Sequence, residues 1–358
     1  MTKNPSTGAG FRCAIVMLIL VAASLPVFAG TWTWDAGGTD NLWTTVANWN
    51  QNKIPDQKNP TLQFGTAGSA RLTPEMNQAW TVGNITFSSG APSYTLNGNN
   101  NLSLSVIVAN QSVNTETINS PILLTKNVKF YAPSGDLVFN GTVDNQGHQL
   151  TVDGAFDVAI NGVISGSGGL LKDGAGTLTL GGANSFTGPI QVNQGTLLLG
   201  GNDRIADSAN LTLNSGALAT GGYNETLGSL TLTANSYIDL GSGSSVLHFG
   251  NSAANTWTAG TKLVIDNWSG QPTGGGTDQV YFGSLTSSQV SEIYFQDPFG
   301  FGPGLYPARY LPSGELVPVP EPAMTTVLVF LGAALGFRER RNLRNALRKI
   351  SQRLIAGN

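Results

Sequence analysis

Short apolar bursts at a fixed interval constrain this chain more than any other feature. Leu150-Thr151-Val152, Val158-Ala159-Ile160, Leu178-Thr179-Leu180, Gln191-Val192, Leu197-Leu198-Leu199, Leu211-Thr212-Leu213 and Leu230-Thr231-Leu232 are each very short, and Gly, Asn or Asp punctuates every gap. The alternation within a burst is that of a β-strand with one buried face. Asn and Gly supply the turns because both tolerate positive φ. Gly176-Thr177-Leu178-Thr179-Leu180-Gly181-Gly182 matches Gly195-Thr196-Leu197-Leu198-Leu199-Gly200-Gly201 at an offset of 19. Asn210-Leu211-Thr212-Leu213 and Ser229-Leu230-Thr231-Leu232 repeat that offset of 19. A period of about 20 with several short strands per unit suits one coil of a parallel β-helix, each coil stacking ~4.8 Å above the last. A single coil cannot bury its apolar side chains, so stacking creates the core. The interior is then expected to be the Leu and Val of each burst, with Asn, Asp, Ser and Thr exposed at the turns. An antiparallel sandwich also uses short strands every ~8–12 residues; the echo favours the helix.

Composition narrows the chemistry. Between residues 30 and 317, 9 Lys and Arg stand against 19 Asp and Glu, a formal charge of −10. The near-neutral total of −3 conceals an acidic body between basic ends. Such a body argues against nucleic acid, whose binding rests on neutralising phosphates. The one cysteine, Cys13, lies near the N-terminus, so the body holds neither a disulfide nor a thiolate metal site. No amphipathic helix of useful length lies between Thr31 and Leu316, and the body is expected to be all-β.

Both ends carry export features. Lys3 and Arg12 precede an uncharged apolar run, residues 14–25, and Val27-Phe28-Ala29 follows with small residues where a signal peptidase reads. That order predicts a signal peptide over 1–29, cleaved after Ala29. Residues 323–337 are apolar, and Arg338, Arg340, Arg341, Arg344, Arg348, Lys349 and Arg353 follow. Fifteen helical residues span about 22 Å against a hydrocarbon core of about 30 Å, a mismatch that flanking residues or bilayer thinning absorb. The basic tail, 338–358, is expected on the cytoplasmic side and the body outside.

Val319-Pro320-Glu321-Pro322, the apolar stretch and the Arg-rich end together resemble the PEP-CTERM sorting signal of Gram-negative bacteria. The resemblance implies an exosortase, a membrane protease-transpeptidase, that recognises Pro320, Glu321 and Pro322 and removes the tail. The tail beyond Arg344 is longer than is usual for that signal.

A second resemblance lies in the body. Gly168-Gly169-Leu170-Leu171-Lys172-Asp173-Gly174-Ala175-Gly176-Thr177-Leu178-Thr179-Leu180, then Gly182-Ala183-Asn184-Ser185-Phe186-Thr187-Gly188, then Val192-Asn193-Gln194-Gly195-Thr196-Leu197 resembles the autotransporter-associated β-strand repeat. This implies a right-handed parallel β-helix in secreted surface proteins. No run of amphipathic strands follows the body, so a self-secreting passenger with its own pore is not expected. The predicted organisation is a Trp-rich N-terminal cap over 30–60, a β-helix over 61–245 with the repeat core at 168–201, and an aromatic C-terminal β region over 246–317. Residues 318–337 then carry the sorting motif and a transmembrane helix.

Trp32, Trp34, Trp43 and Trp49 crowd the start of the body, and with Trp34-Asp35-Ala36-Gly37-Gly38 and Asn48-Trp49 look like the opening of bacterial proteins with this repeat. Bulky aromatics cover an open solenoid end and its unpaired strand edges, and a cap is the favoured reading. The alternative is a sugar-stacking platform, with Trp34 and Trp43 as glycan contacts.

Catalytic signatures are sparse: the chain has no G-x-S-x-G, H-E-x-x-H, P-loop or C-x-x-C,. His148 and His248 are a hundred residues apart. No catalytic residue, cofactor or metal is expected. The enzyme alternative is a polysaccharide lyase or glycoside hydrolase, which needs carboxylates across a groove. Asp144, Asp153, Asp157 and Asp173 fall in neighbouring turns, where Asp beside Gly or Asn more commonly makes Asx-turns. Lys126, Lys129, Lys172 and Arg204 are cations of the middle of the stack, and Lys172 belongs to the repeat consensus. The reading is an exported, non-enzymatic structural or adhesive element of the cell surface or extracellular matrix. Its processing partners are signal peptidase and exosortase, with extracellular polysaccharide as the further partner. It is held at the inner membrane in transit.

Overall fold

A computed structural model describes residues 30–320. The signal segment with Ala29, the residues Glu321 and Pro322, the apolar stretch 323–337 and the basic tail lie outside the described residues. Among the described residues no helix is long and apolar enough to cross a membrane.

The chain winds as a parallel β-solenoid of about 9 turns with 3% helix. One coil shows the plan. Leu150–Gly154 runs along a first face, Val158–Ile160 along a second and Ile164–Ser165 along a third. The next coil then begins at Leu170–Lys172. Each strand is short because its apolar burst is short, and turn formers sit at each corner. Gly154 (φ 122°) and Gly166 (φ 101°) occupy backbone conformations that L side chains rarely adopt,.

Strands of successive coils pair in parallel and in register. Leu150 aligns with Leu170, Leu170 with Ile190, Ile190 with Leu211 and Leu211 with Leu230. On the second face Leu178 aligns with Leu197, the offset of 19 read from the sequence. Parallel pairing excludes the sandwich. The aligned Leu, Ile and Val are buried and form one continuous core. Burying each such side chain contributes roughly 1.5–3 kcal/mol, which a single coil could not collect.

The third face is less regular. After Ile164–Ser165 it continues through residues 184–186 by single backbone bonds: Ser185 N donates to Ile164 O at 2.9 Å and Thr187 N to Gly166 O at 3.0 Å. The Asn184 side chain replaces a ladder bond, its Oδ1 accepting from Ile164 N at 2.7 Å. Regular strands resume at Glu225–Leu227, Val246–Asn251 and Gln279–Ser284.

At the N-terminal end the core is aromatic. Trp34, Trp43, Trp49 and Trp80 are almost fully buried. Trp34 meets Trp49 edge-on at 5.4 Å, and Trp43 meets Trp80 edge-on at 5.4 Å. Gly68 makes room, since a Cβ there would lie 2.4 Å from Trp34 Cδ1. At the other end the pairing changes sense. Leu305–Tyr310 lies antiparallel to Ile293–Gln296, and Glu315–Pro318 lies antiparallel to both Leu305–Tyr310 and Gln279–Ser284.

Candidate functional site

The corner between the first and second faces gathers most of the chemistry that the sequence singles out. Lys172 occupies the inward position held by Val152 and Val192 on the neighbouring rungs, and it is 1% exposed. Its stem packs with the core and its Nζ turns back to the corner. There it donates to Asp173 O at 2.9 Å, Gly174 O at 2.7 Å and Gln194 O at 3.2 Å. The last of these belongs to the next coil, so the ammonium ties two coils together. Burial pulls its pKa down to about 8, against the opposing charges of Asp153, Asp173 and Asp157,. Gly195 closes this corner: a Cβ there would stand 2.3 Å from Gly176 O and 2.8 Å from Lys172 Nζ.

Three of the four candidate carboxylates are at this corner, and each serves the local backbone or a neighbouring cation. Asp153 Oδ2 accepts from Lys129 Nζ at 2.7 Å, and its Oδ1 accepts from Gly154 N at 2.7 Å. Asp157 Oδ1 accepts from Thr177 N at 2.7 Å, one coil on. Asp173 Oδ1 accepts from Gly174 N at 3.2 Å. Asp144 is elsewhere, on the third-face strand Val143–Asp144, where its Oδ1 accepts from Gln146 N at 3.0 Å. The four do not share a face. Asp40, just after Gly37-Gly38 in the Trp-rich segment, is also engaged, accepting from Thr45 Oγ1 at 2.8 Å and Leu42 N at 3.1 Å. Among the described residues no group of three or more His, Cys, Asp or Glu is placed to hold a metal ion.

Trp34 and Trp43 are both 0% exposed. A sugar-stacking platform needs an open ring face, and neither has one. The Trp34 indole donates to Arg71 O at 3.1 Å, and Trp49 donates to Trp43 O at 2.8 Å, so the cluster is a structural cap. Of the four residues expected to form a sorting motif, Val319 and Pro320 are described, and both are exposed. Val319 N donates to Pro307 O at 2.9 Å, which holds Val319 immediately beyond the last strand.

Sequence reasoning missed the interior carboxylates. Glu116 is fully buried, its Oε2 accepting from Tyr94 N at 2.7 Å and its Oε1 from Ser112 Oγ at 2.8 Å. Glu225 is 1% exposed, its Oε2 accepting from Arg204 N at 2.8 Å and Ile205 N at 3.2 Å. Burial pushes each up to about 7, against the hydrogen bonds it accepts. The signal was present: Glu116-Thr117-Ile118 and Glu225-Thr226-Leu227 alternate like the other bursts, with Glu at an inward position.

The repeat of the middle coils decides the likeness to known proteins. Residues 170–199 match the family model of the passenger-associated-transport-repeat. That span begins with the strand carrying Lys172 and ends with the strand Thr196–Leu199. No curated protein and no solved structure matches the chain. The repeat and the solenoid fit a secreted or surface β-helix protein.

Proposed function

We propose that this chain is a non-enzymatic structural or adhesive rod of the cell surface or extracellular matrix, delivered through its two terminal signals. The observation that carries the reading is the continuous stack of coils. Its core is closed at both ends, and its corner carboxylates are engaged by backbone amides and by Lys129. The acidic, hydroxyl-rich exterior suits a solvated spacer. Coil winding is right-handed, the hand of nearly all parallel strand crossovers. Signal peptidase removes 1–29 after Ala29. The stretch 323–337 then holds the chain in the inner membrane until exosortase cuts at Val319-Pro320-Glu321-Pro322. The exposure of Val319 and Pro320 supports access to that motif.

Mass spectrometry of the C-terminus, on protein recovered from envelope and medium fractions, tests the delivery. A terminus near Pro322 is expected, and an intact Asn358 in every fraction overturns it. The non-enzymatic reading is tested by incubating the protein with a panel of acidic polysaccharides. Depolymerisation that is lost in Asp153→Ala or Asp173→Ala overturns that reading in favour of a lyase or hydrolase.

A further inference from the structure

The last regular coils of the third face carry an open aromatic groove. Glu225–Leu227, Val246–Asn251 and Gln279–Ser284 are parallel neighbours, with Thr226 opposite His248 and His248 opposite Tyr281. Leu227, Leu247, Phe249, Val280 and Phe282 are the inward residues, all buried. The alternation therefore turns Thr226, His248 and Tyr281 outward. The His248 ring is exposed and lies flat against Tyr281, centroids 4.6 Å apart and planes within 6°. Two residues beyond Tyr281 the outward position is Gly283, so the groove floor beside the aromatic wall carries no side chain there. The turn 312–314 bounds the other side, with Phe282 N donating to Gly314 O at 2.9 Å. The result is an open groove of about 410 Å³, within the size range of small-ligand sites.

The lining defines what fits. No Asp, Glu, Lys or Arg lines the groove. Glu315 stands opposite Tyr281 but is 2% exposed, its carboxylate accepting from Gly275 N at 2.8 Å. Asp, Glu, Lys and Arg therefore offer a charged ligand no exposed counter-charge here. A peptide strand finds little free edge, because Val280 and Tyr281 are paired on both sides and Phe282 N donates to Gly314 O. The hydroxyls of Tyr281 and Tyr310 donate to Gln279 Oε1 at 2.6 Å and Phe282 O at 2.9 Å, which leaves both oxygens as acceptors. Ser313 adds a hydroxyl at the rim. The exposed His248 imidazole stacked on Tyr281, the two acceptors and the Ser313 hydroxyl match a molecule with apolar C–H groups beside a rim of hydroxyl donors. We propose that this groove binds a neutral hexopyranose unit of an extracellular glycan. The proposal does not depend on how the chain is sorted or on whether it has catalytic activity.

The test uses the full chain in detergent, probed on an array of glucan, mannan and galactan oligosaccharides beside uronic-acid and sulfated glycans. Calorimetric titration follows with the best-retained neutral oligosaccharide. Retention of neutral hexose glycans is expected, with affinity weakened about tenfold or more in His248→Ala and in Tyr281→Ala. The control variant Val113→Ala, remote and highly exposed, binds as the parent does. Circular dichroism checks folding, and His248→Ala decides alone if Tyr281→Ala unfolds. Retention of acidic glycans only, of no glycan, or unchanged affinity in His248→Ala overturns the proposal.

Discussion

Single residues in this core carry charge where its neighbours are aliphatic, and their energetics follow from the groups they satisfy. Lys172→Met keeps the volume and the burial but leaves the carbonyls of Asp173, Gly174 and Gln194 without their shared donor. Removing the shared donor of these partly buried acceptors costs about 1–2 kcal/mol here, and urea unfolding should show that loss despite the more apolar side chain. Glu116 and Glu225 give a different signature. Each has its pKa raised from 4.5 to about 7 by burial. Between those values the folded chain keeps protons that the unfolded chain has released. Stability should therefore fall as pH rises from about 4.5 to about 7,. Glu116→Gln removes part of that slope and should raise stability at pH 8 by about 1–2 kcal/mol. A glutamine can still accept from Tyr94 N while donating to Ser112 Oγ, as the protonated acid does. Urea midpoints of parent and variant between pH 4 and pH 8 check both statements; a parent more stable at pH 8 than at pH 5 contradicts them.

Elements are held together between coils as much as within them. At the corner after the second face Asn119 donates to Asn97 Oδ1 at 2.7 Å, Asn140 to Asn119 Oδ1 at 2.8 Å, and Asn161 to Asn140 Oδ1 at 2.8 Å. Gly181 ends this ladder on the next coil, where even a Cβ would stand 2.9 Å from Asn161 Oδ1. Asn140→Ala breaks the ladder on both sides of one rung and should cost about 1–2 kcal/mol, measured by denaturant unfolding. Serine at Asn97, an end position, should cost less. The sequence showed the period because Leu178 and Leu197 lie in near-identical segments and stack in register. It did not show the amide ladder, since Asn in a turn is common for reasons that need no partner. The buried direction of Lys172 was hidden for a related reason. Alternation places it inward, but only the folded corner reveals the three carbonyls that make an inward lysine tolerable. The third face was illegible where Asn184 replaces strand pairing with a side-chain bond. Of the candidate site residues, Trp34 and Trp43 were read both as cap and as glycan contact, and burial leaves only the cap. The groove at His248 and Tyr281 arises from cross-strand register, which residues 33 apart in sequence do not announce.

The whole molecule is a stack with two ends, and a parallel stack left open would recruit another copy of itself. The first strand, Thr31–Trp34, has its outer edge closed by the segment that follows it. Asn50 N donates to Thr33 O at 3.0 Å, Thr33 N donates to Asn50 Oδ1 at 3.1 Å, and Asp35 N donates to Asn48 O at 3.0 Å. The last strand of the first face, Leu230–Leu232, is closed largely by side chains. Leu230 O accepts from Asn255 Nδ2 at 3.0 Å and Trp257 Nε1 at 3.1 Å, while Leu230 N donates to Ser252 Oγ at 2.9 Å. The antiparallel ribbon ending in Glu315–Pro318 covers the remaining faces. Each closure substitutes local hydrogen bonds for those another coil would make, so the length of the rod is set by its own chain. Asn50→Pro removes the backbone donor and the side-chain acceptor together, uncovering both polar groups of Thr33 without touching the tryptophan core. The expected outcome is end-to-end association that increases with protein concentration, read as mass by light scattering on the size-exclusion peak. Asn255→Ala should do the same more weakly, because Trp257 still covers Leu230 O. If Asn50→Pro keeps the mass of the parent at every concentration while remaining folded, the edge is not what limits the stack.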